Sequence, residues 1–198
     1  GLSGFLGAVP FHDKGRQQAV LKRMTDSIRH RGPDDGGYWI DGERGVALGH
    51  RRLSILDLSP AGHQPMHSPS GRYVMVFNGE IYNHLEMRRQ LEAGADGSAS
   101  PAWRGRSDTE TLLAGFDAWG IAPALARTVG MFAFAVWDRH SGALTLGRDR
   151  IGEKPLYYGW QGRGSGAVFL FGSELKALRA HPAFESDIDR DALCLQKR

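Results

Sequence analysis

The chain has 198 residues, 41% of them hydrophobic and 24% charged, with 25 basic and 22 acidic side chains. A chain of this length buries a hydrophobic core without disulfides or metal ions and favours a single domain. The net charge of +3 is small and the arginines are scattered, which gives little support to nucleic-acid binding. No apolar run approaches the roughly 18 residues that span a bilayer, so no membrane partner is expected.

The cysteine and histidine content bounds the redox and metal chemistry. The only cysteine, Cys194, allows neither an internal disulfide nor a thiolate zinc cluster. Five histidines also lack the spacing of a metal site: His30, His50, His63, His67 and His84. The sequence therefore predicts a cytoplasmic protein without a metal site.

Hydrophobic periodicity predicts the elements in chain order. A strand over 4–9 is followed by a helix over 15–28 and by strands over 37–40, 46–50 and 73–77. Helices over 82–92 and 108–119 come next, and Ser107 and Glu110 are spaced as a capping box for the second. The remaining predicted strands cover 132–137, 143–147, 156–160 and 168–171.

Glycine-rich stretches separate these elements. Residues 162–166 predict a hairpin turn, and residues 93–106 predict a mobile surface loop. Because the strands are grouped and the helices are set apart from them, the pattern predicts an α+β fold with helices packed outside antiparallel sheets.

The dipeptide Asn78-Gly79 supports two interpretations. It follows an apolar strand, and Asn-Gly is the strongest short hairpin signal, so a turn is favoured on the residues alone. Clean alternation does not resume after Glu80, however. Asn and Glu side chains beside a glycine N–H also form an anion cradle, and such donors stabilise a developing oxyanion.

Three charged residues carry similar alternatives. Arg51 and Arg52 follow a predicted strand, where a solvated arginine pair is common. The functional alternative is a guanidinium that clamps a carboxylate in bidentate fashion. Asp108 has a helix-start explanation that competes with a role in ligand binding.

The order of the sequence motifs is more specific than any one of them. The chain resembles the class II glutamine amidotransferase domain of glutamine-dependent asparagine synthetases. Nine ordered blocks carry this resemblance: GLSGFLG at 1–7, RHRGPDDGG at 29–37, HRRLSILDLS at 50–59, HQPM at 63–66, FNGEIYNH at 77–84, RSDTETLL at 106–113, GMFAFAVWD at 130–138, GRDRIGEKPLYY at 147–158 and SELKAL at 173–178.

The resemblance implies an N-terminal-nucleophile hydrolase with a four-layer αββα sandwich. It implies that Arg52 binds the α-carboxylate of glutamine and that Glu80 and Asp108 accept its α-ammonium group. It assigns the oxyanion hole to Asn78 and the Gly79 N–H. Backbone groups of one further segment are expected to complete the pocket wall: Leu53, Ser54, Ile55 and Leu56.

One position departs from the family pattern. Family members begin with Cys-Gly after removal of the initiator methionine, and the thiol of that cysteine attacks the glutamine amide. The chain here starts at Gly1. Either a cysteine precedes Gly1 in the parent protein, which is the favoured explanation, or the domain is a catalytically silent glutamine-binding or scaffolding module, as in the related β-lactam synthetases.

The resemblance also divides the chain. Residues 1–192 are expected to form the glutaminase domain and 193–198 to begin a linker to an ATP-dependent synthetase domain. ATP and magnesium are expected in that second domain and no cofactor in this one, since the phosphate loop Ser-Gly-Gly-x-Asp-Ser does not occur here. The expected partners are L-glutamine and the synthetase domain, which would amidate aspartate or a similar carboxylate; a homodimer is left open.

Overall fold

The computed structural model describes residues 1–7, 13–53, 62–94 and 101–186. These residues form nine strands, in chain order β1 Leu2–Gly7, β2 Asp35–Asp41, β3 Val46–Arg52, β4 Met66–His67, β5 Tyr73–Ile81, β6 Gly130–Asp138, β7 Ala143–Arg148, β8 Tyr157–Gln161 and β9 Val168–Gly172. The helices of the same residues are α1 Lys14–Ser27, α2 His84–Glu92, α3 Asp108–Trp119, α4 Ile121–Arg127 and α5 Leu175–Arg179.

The strands form two antiparallel sheets. The order is β2-β3-β1-β9-β8 in the first sheet and β4-β5-β6-β7 in the second. Because side chains alternate along a strand, each sheet presents one apolar face to the other. The core between the sheets includes Leu2, Leu48, Val74, Val76 and Phe171.

Helices cover the two outer faces. Helices α1 and α5 pack on the first sheet through residues such as Leu21 and Leu178. Helices α2, α3 and α4 pack on the second sheet around Met87, Leu113 and Phe116. The layers therefore run helix, sheet, sheet, helix, which confirms the predicted α+β fold.

The structure places a strand at each predicted strand position, but β5 is longer than expected. It continues through Asn78 and Gly79, which lie opposite Ala133 and Phe132 of β6. The hairpin-turn interpretation of Asn78-Gly79 is therefore wrong, because pairing along the whole of β6 outweighs a local turn preference. The hairpin turn predicted at 162–166 does connect the antiparallel strands β8 and β9.

Helices α1 and α3 begin within one residue of their predicted starts, and α2 begins two residues later than predicted, at His84. Helix α3 begins at Asp108, with the Ser107 hydroxyl accepting the Glu110 N–H at 3.2 Å. The Glu110 carboxylate accepts the N–H groups of Arg104 and Gly105 at 2.7 and 3.0 Å. It therefore holds the end of the predicted loop 93–106, of which residues 95–100 lie outside the described part.

Three short elements were not predicted. Strand β4 has two residues, and helices α4 and α5 have seven and five. Segments this short carry too few residues to establish a period. Among the described helices, none has both the length and the apolar character needed to cross a bilayer.

Candidate active site

A pocket of about 720 Å³ lies where the ends of β3 and β5 meet the start of α3. It brings together every described residue that the sequence singled out for binding or catalysis: Arg52, Leu53, Asn78, Gly79, Glu80 and Asp108. Leu53 is 53% exposed. Ser54, Ile55 and Leu56, which were expected to complete the wall, lie outside the described residues, as does Cys194.

Strand alternation separates the two neighbouring arginines. Arg52 has the same parity along β3 as Leu48, which faces the second sheet, and it lines the pocket. Arg51 has the opposite parity and pairs with Asp26 on α1; its side chain is 12% exposed. The interpretation of both residues as a solvated pair is therefore wrong.

The absence of a side chain at Gly62 leaves room for the Arg52 guanidinium. A Cβ atom built on Gly62 would lie 2.3 Å from Nη2 of Arg52. A side chain at this position would therefore displace the guanidinium. Although burial opposes the shift, hydrogen bonds with His63 and from the Gly36 N–H lower the pKa of the Asp35 carboxyl, and the positive charge of Arg52 adds a smaller contribution.

The side chain of Asn78 has an unused donor. Its Nδ2 atom is buried and makes no hydrogen bond within the described part of the chain. A buried amide N–H without an acceptor costs about 1–3 kcal/mol, and a bound ligand, ion or water molecule is one explanation for such a group. The position of Asn78 on the pocket wall makes a bound ligand the natural acceptor.

The backbone of Gly79 also faces the pocket side of β5. Its partner across the sheet is Phe132. The Phe132 carbonyl accepts the Asp149 backbone N–H at 2.8 Å, and the Phe132 N–H donates to the Asp149 carboxylate at 3.2 Å. Phe132 therefore directs its backbone groups towards β7, and in an antiparallel pair Gly79 directs its own away from β6. A Cβ on Gly79 would lie 2.2 Å from the Met131 carbonyl oxygen, so no side chain fits.

Two carboxylates stand beside these donors. Glu80 follows Gly79 in β5. Asp108 begins α3, and its carboxylate accepts the N–H groups of Ile81 and Thr109, each at 2.8 Å. The bond to Ile81 ties the start of α3 to the end of β5, so the two carboxylates line one pocket. Asp108 thus combines the helix-start position with a place at the site.

The amino group of Gly1 forms another part of the wall and donates to the Arg51 carbonyl at 2.6 Å. Burial, with smaller contributions from the Arg31 and Lys154 cations, lowers its pKa to about 5. The amine is therefore uncharged at neutral pH.

The pKa of the Glu174 carboxylate is also lowered, to about 2. Burial opposes this shift, and hydrogen bonds from Arg31, Lys176 and His30 cause it.

Several pocket residues were not assigned a role from the sequence. All of them lie inside or next to the motif blocks: Arg31, His50, Gly62, Gln64 and Lys154. Their place in those blocks was the available signal, but no general rule assigns such residues a function. Within the described ranges, no group of three or more His, Cys, Asp or Glu residues is arranged to hold a metal ion.

Comparisons with known proteins identify the family of the chain. A family model for a glutamine amidotransferase domain matches residues 2–196. The chain is 37% identical to asparagine synthetase [glutamine-hydrolyzing] 3 of Bacillus subtilis, over 97% of this chain and 30% of the relative. It is also 37% identical to asparagine synthetase [glutamine-hydrolyzing] 1 of that organism, over 99% and 29%.

A solved structure supports the fold. The glutamine phosphoribosylpyrophosphate amidotransferase of Bacillus subtilis matches with a TM-score of 0.69 and 19% identity, over 90% of this chain and 43% of that one. The chain spans less than a third of the two curated synthetases named above. Since the family model covers almost the entire sequence, the chain belongs to the glutamine amidotransferase domain family.

Proposed function

We propose that this domain binds L-glutamine in the pocket at the ends of β3 and β5 and releases the side-chain nitrogen as ammonia. The observation that carries the proposal is the unused Asn78 Nδ2 donor beside the Gly79 N–H, on a wall that also includes Arg52 and the acidic residues Glu80 and Asp108. This set matches the charges of an amino acid and the charge that develops at its amide.

The binding roles follow from charge. The Arg52 guanidinium would form two parallel hydrogen bonds with the α-carboxylate of glutamine. Glu80 and Asp108 would accept hydrogen bonds from its α-ammonium group. Backbone groups of residues 53–56 would close the wall on that side.

The catalytic roles follow from the donors. Attack on the amide carbon turns its oxygen into an oxyanion, and Asn78 Nδ2 and the Gly79 N–H would stabilise that charge. These donors are held before the reaction begins, so they stabilise the transition state without a cost of reorganisation.

The nucleophile would be the thiol of a cysteine joined to the Gly1 nitrogen, which lies at the pocket wall. The cysteine α-amine would accept the thiol proton as the sulfur forms a C–S bond to the amide carbon. It would then return that proton to the amide nitrogen, so that the C–N bond breaks and ammonia leaves. Water would then hydrolyse the thioester to glutamate. A polypeptide that starts at Gly1 would bind glutamine without hydrolysing it.

The wider activity is proposed from the relatives. A synthetase domain, with ATP and magnesium, would use the ammonia to amidate aspartate or a similar carboxylate in the cytoplasm. The silent binding module is not favoured, since the matched curated relatives are named as glutamine-hydrolysing. A homodimer stays a prediction.

The experiment compares three forms of the chain: Gly1 first, Cys ahead of Gly1, and Ser ahead of Gly1. Ammonia and glutamate are measured in equal amounts of each protein with glutamine supplied. We expect equimolar products from the Cys form alone, because serine has the size of cysteine without its thiolate. An inactive Cys form that still binds glutamine would instead support the silent module.

A further inference from the structure

Strand β5 extends beyond its short neighbour β4. The two pair only at Met66 with Met75 and at His67 with Val74. In an antiparallel sheet, alternate residues direct both backbone groups to the same side. Beyond Met75, the residues that face the unpaired side of β5 are therefore Phe77, Gly79 and Ile81.

Two side chains take the place of the absent strand at Phe77. The Gln64 Oε1 atom accepts the Phe77 N–H at 2.6 Å, and the Nε2 atom of His50 lies 2.9 Å from the Phe77 carbonyl oxygen. Both side chains are buried, with 7% and 5% exposed. They also line the pocket.

The chemistry of the contact sets the form of His50. A carbonyl oxygen only accepts hydrogen bonds, so Nε2 carries the proton and donates it to Phe77. Burial lowers the pKa of His50 well below its usual range, which keeps the imidazole neutral. His50 belongs to β3, so this bond joins the first sheet to the second at the pocket floor.

The next occupied position on this side of β5 is Ile81, whose N–H is bound by Asp108. The Gly79 N–H therefore lies between two positions that side chains have already taken. This arrangement supports β5 on either side of the proposed oxyanion donors without using those donors.

We propose that His50 and Gln64 are positioning residues for glutamine hydrolysis. They clamp the Phe77 backbone, and this clamp keeps the Asn78 side chain and the Gly79 N–H in their orientation at the pocket. This inference rests on the proposed function. Neither residue needs to touch substrate in this role.

The clamp predicts a specific kinetic effect. Misplacing catalytic groups by about 1 Å can reduce the rate about 100-fold. The Arg52 guanidinium lies against Gly62, and the Asp108 carboxylate is bonded to Ile81 and Thr109. We therefore expect kcat to fall by about 10- to 100-fold while KM changes by less than about threefold. A residue that only stabilised the fold would lower the melting temperature without changing kcat of the folded protein.

The experiment uses the chain with Cys ahead of Gly1. His50→Phe removes the donor, His50→Gln restores an N–H near the position of Nε2, and Gln64→Met removes the acceptor. The matched control is His181→Phe: His181 is 6% exposed and accepts the Ala183 N–H at 3.1 Å, away from the pocket. For each variant, kcat, KM, melting temperature and the amide NMR resonances of Asn78 and Gly79 are measured.

We expect kcat to fall in His50→Phe and Gln64→Met, to recover largely in His50→Gln, and to stay unchanged in His181→Phe. The Asn78 and Gly79 resonances should shift only in His50→Phe and Gln64→Met. Folded His50→Phe and Gln64→Met with kcat within twofold of the parent would overturn the clamp. If the parent itself is inactive, the proposed function fails. The clamp is then tested by NMR alone, and Asn78 and Gly79 resonances that do not shift in His50→Phe and Gln64→Met would reject it.

Discussion

The two ends of strand β5 differ in how their outward backbone groups are satisfied. At the Tyr73 end, the Ser68 hydroxyl accepts the Tyr73 N–H at 3.1 Å, and the Tyr73 carbonyl accepts the Ser68 N–H at 2.9 Å. The same hydroxyl donates to Asp117 at 3.0 Å. The Asp138 carboxylate, opposite Tyr73, receives two bonds from Arg72 at 3.0 and 2.6 Å.

At the other end the same strand is left open at one position. Side chains bind the backbone groups of Phe77 and the N–H of Ile81, whereas the Gly79 N–H and the side-chain amide of Asn78 face the pocket. One strand therefore serves two purposes. Polar groups that are bound within the protein at its first end contribute to stability. The Asn78 side-chain donor at its last end has no partner among the described residues and is available for a ligand.

The largest expected effect tests the binding side of the open end. In the Cys-bearing chain, Arg52→Ala should raise KM for glutamine, because losing one partner of an enclosed charge pair costs about 2–5 kcal/mol. Arg139→Ala is the control, since exposed pairs contribute well under about 1 kcal/mol. Steady-state kinetics check both variants. Small, equal changes would remove Arg52 from the site.

Asn78→Ala tests the catalytic side of the open end. We expect kcat to fall by about 10²–10³ with KM little altered, because an oxyanion donor acts on charge that develops in the transition state. The melting temperature should not fall, since Nδ2 has no described partner to lose. A lowered melting temperature with kcat intact would contradict the oxyanion role.

Asp138→Ala tests the closed end. We expect a loss of roughly 2–3 kcal/mol in the free energy of unfolding at neutral pH, because the change leaves charged and backbone donors without an acceptor. Catalysis by the folded protein should be unchanged. Denaturant unfolding and kcat, measured on the same samples, check both expectations.

The pH dependence sharpens this test. Hydrogen bonds from Arg72 hold the pKa of Asp138 well below its usual value of 3.8. A depressed carboxyl pKa stabilises the fold fully above that usual value and progressively less as the pH falls towards the folded-state pKa. The stability difference between the parent and Asp138→Ala should therefore shrink below about pH 4. A constant difference down to pH 2 would argue against the charge.

The smallest expected effect concerns Gly62. Gly62→Ala should displace the Arg52 guanidinium and raise KM by about five- to tenfold, equivalent to about 1 kcal/mol, with an unchanged melting temperature. Gly159→Ala is the control, because a Cβ there meets no atom within 4 Å. If the two variants have the same KM, the contact between Gly62 and Arg52 does not position the guanidinium.

The candidate site was partly readable from the sequence. Arg52, Asn78, Gly79, Glu80 and Asp108 were identified by their motif blocks, and the structure places them in one pocket. His50 and Gln64 stood in the same blocks without an assigned role. Their contacts with Phe77 join residues 27 and 13 positions apart, and no local pattern predicts such pairs.

The sequence by itself determined the order of the main strands and helices and the family, because hydrophobic period and ordered motifs are local properties of the chain. Only the tertiary structure decided that β5 continues through Asn78-Gly79 rather than turning there. Pairing from Tyr73 to Ile81 along β6 supplies that decision. Tertiary packing also decided that the Arg51 side chain pairs with Asp26 of α1, because alternation separates the two faces of a strand while packing determines what each face meets.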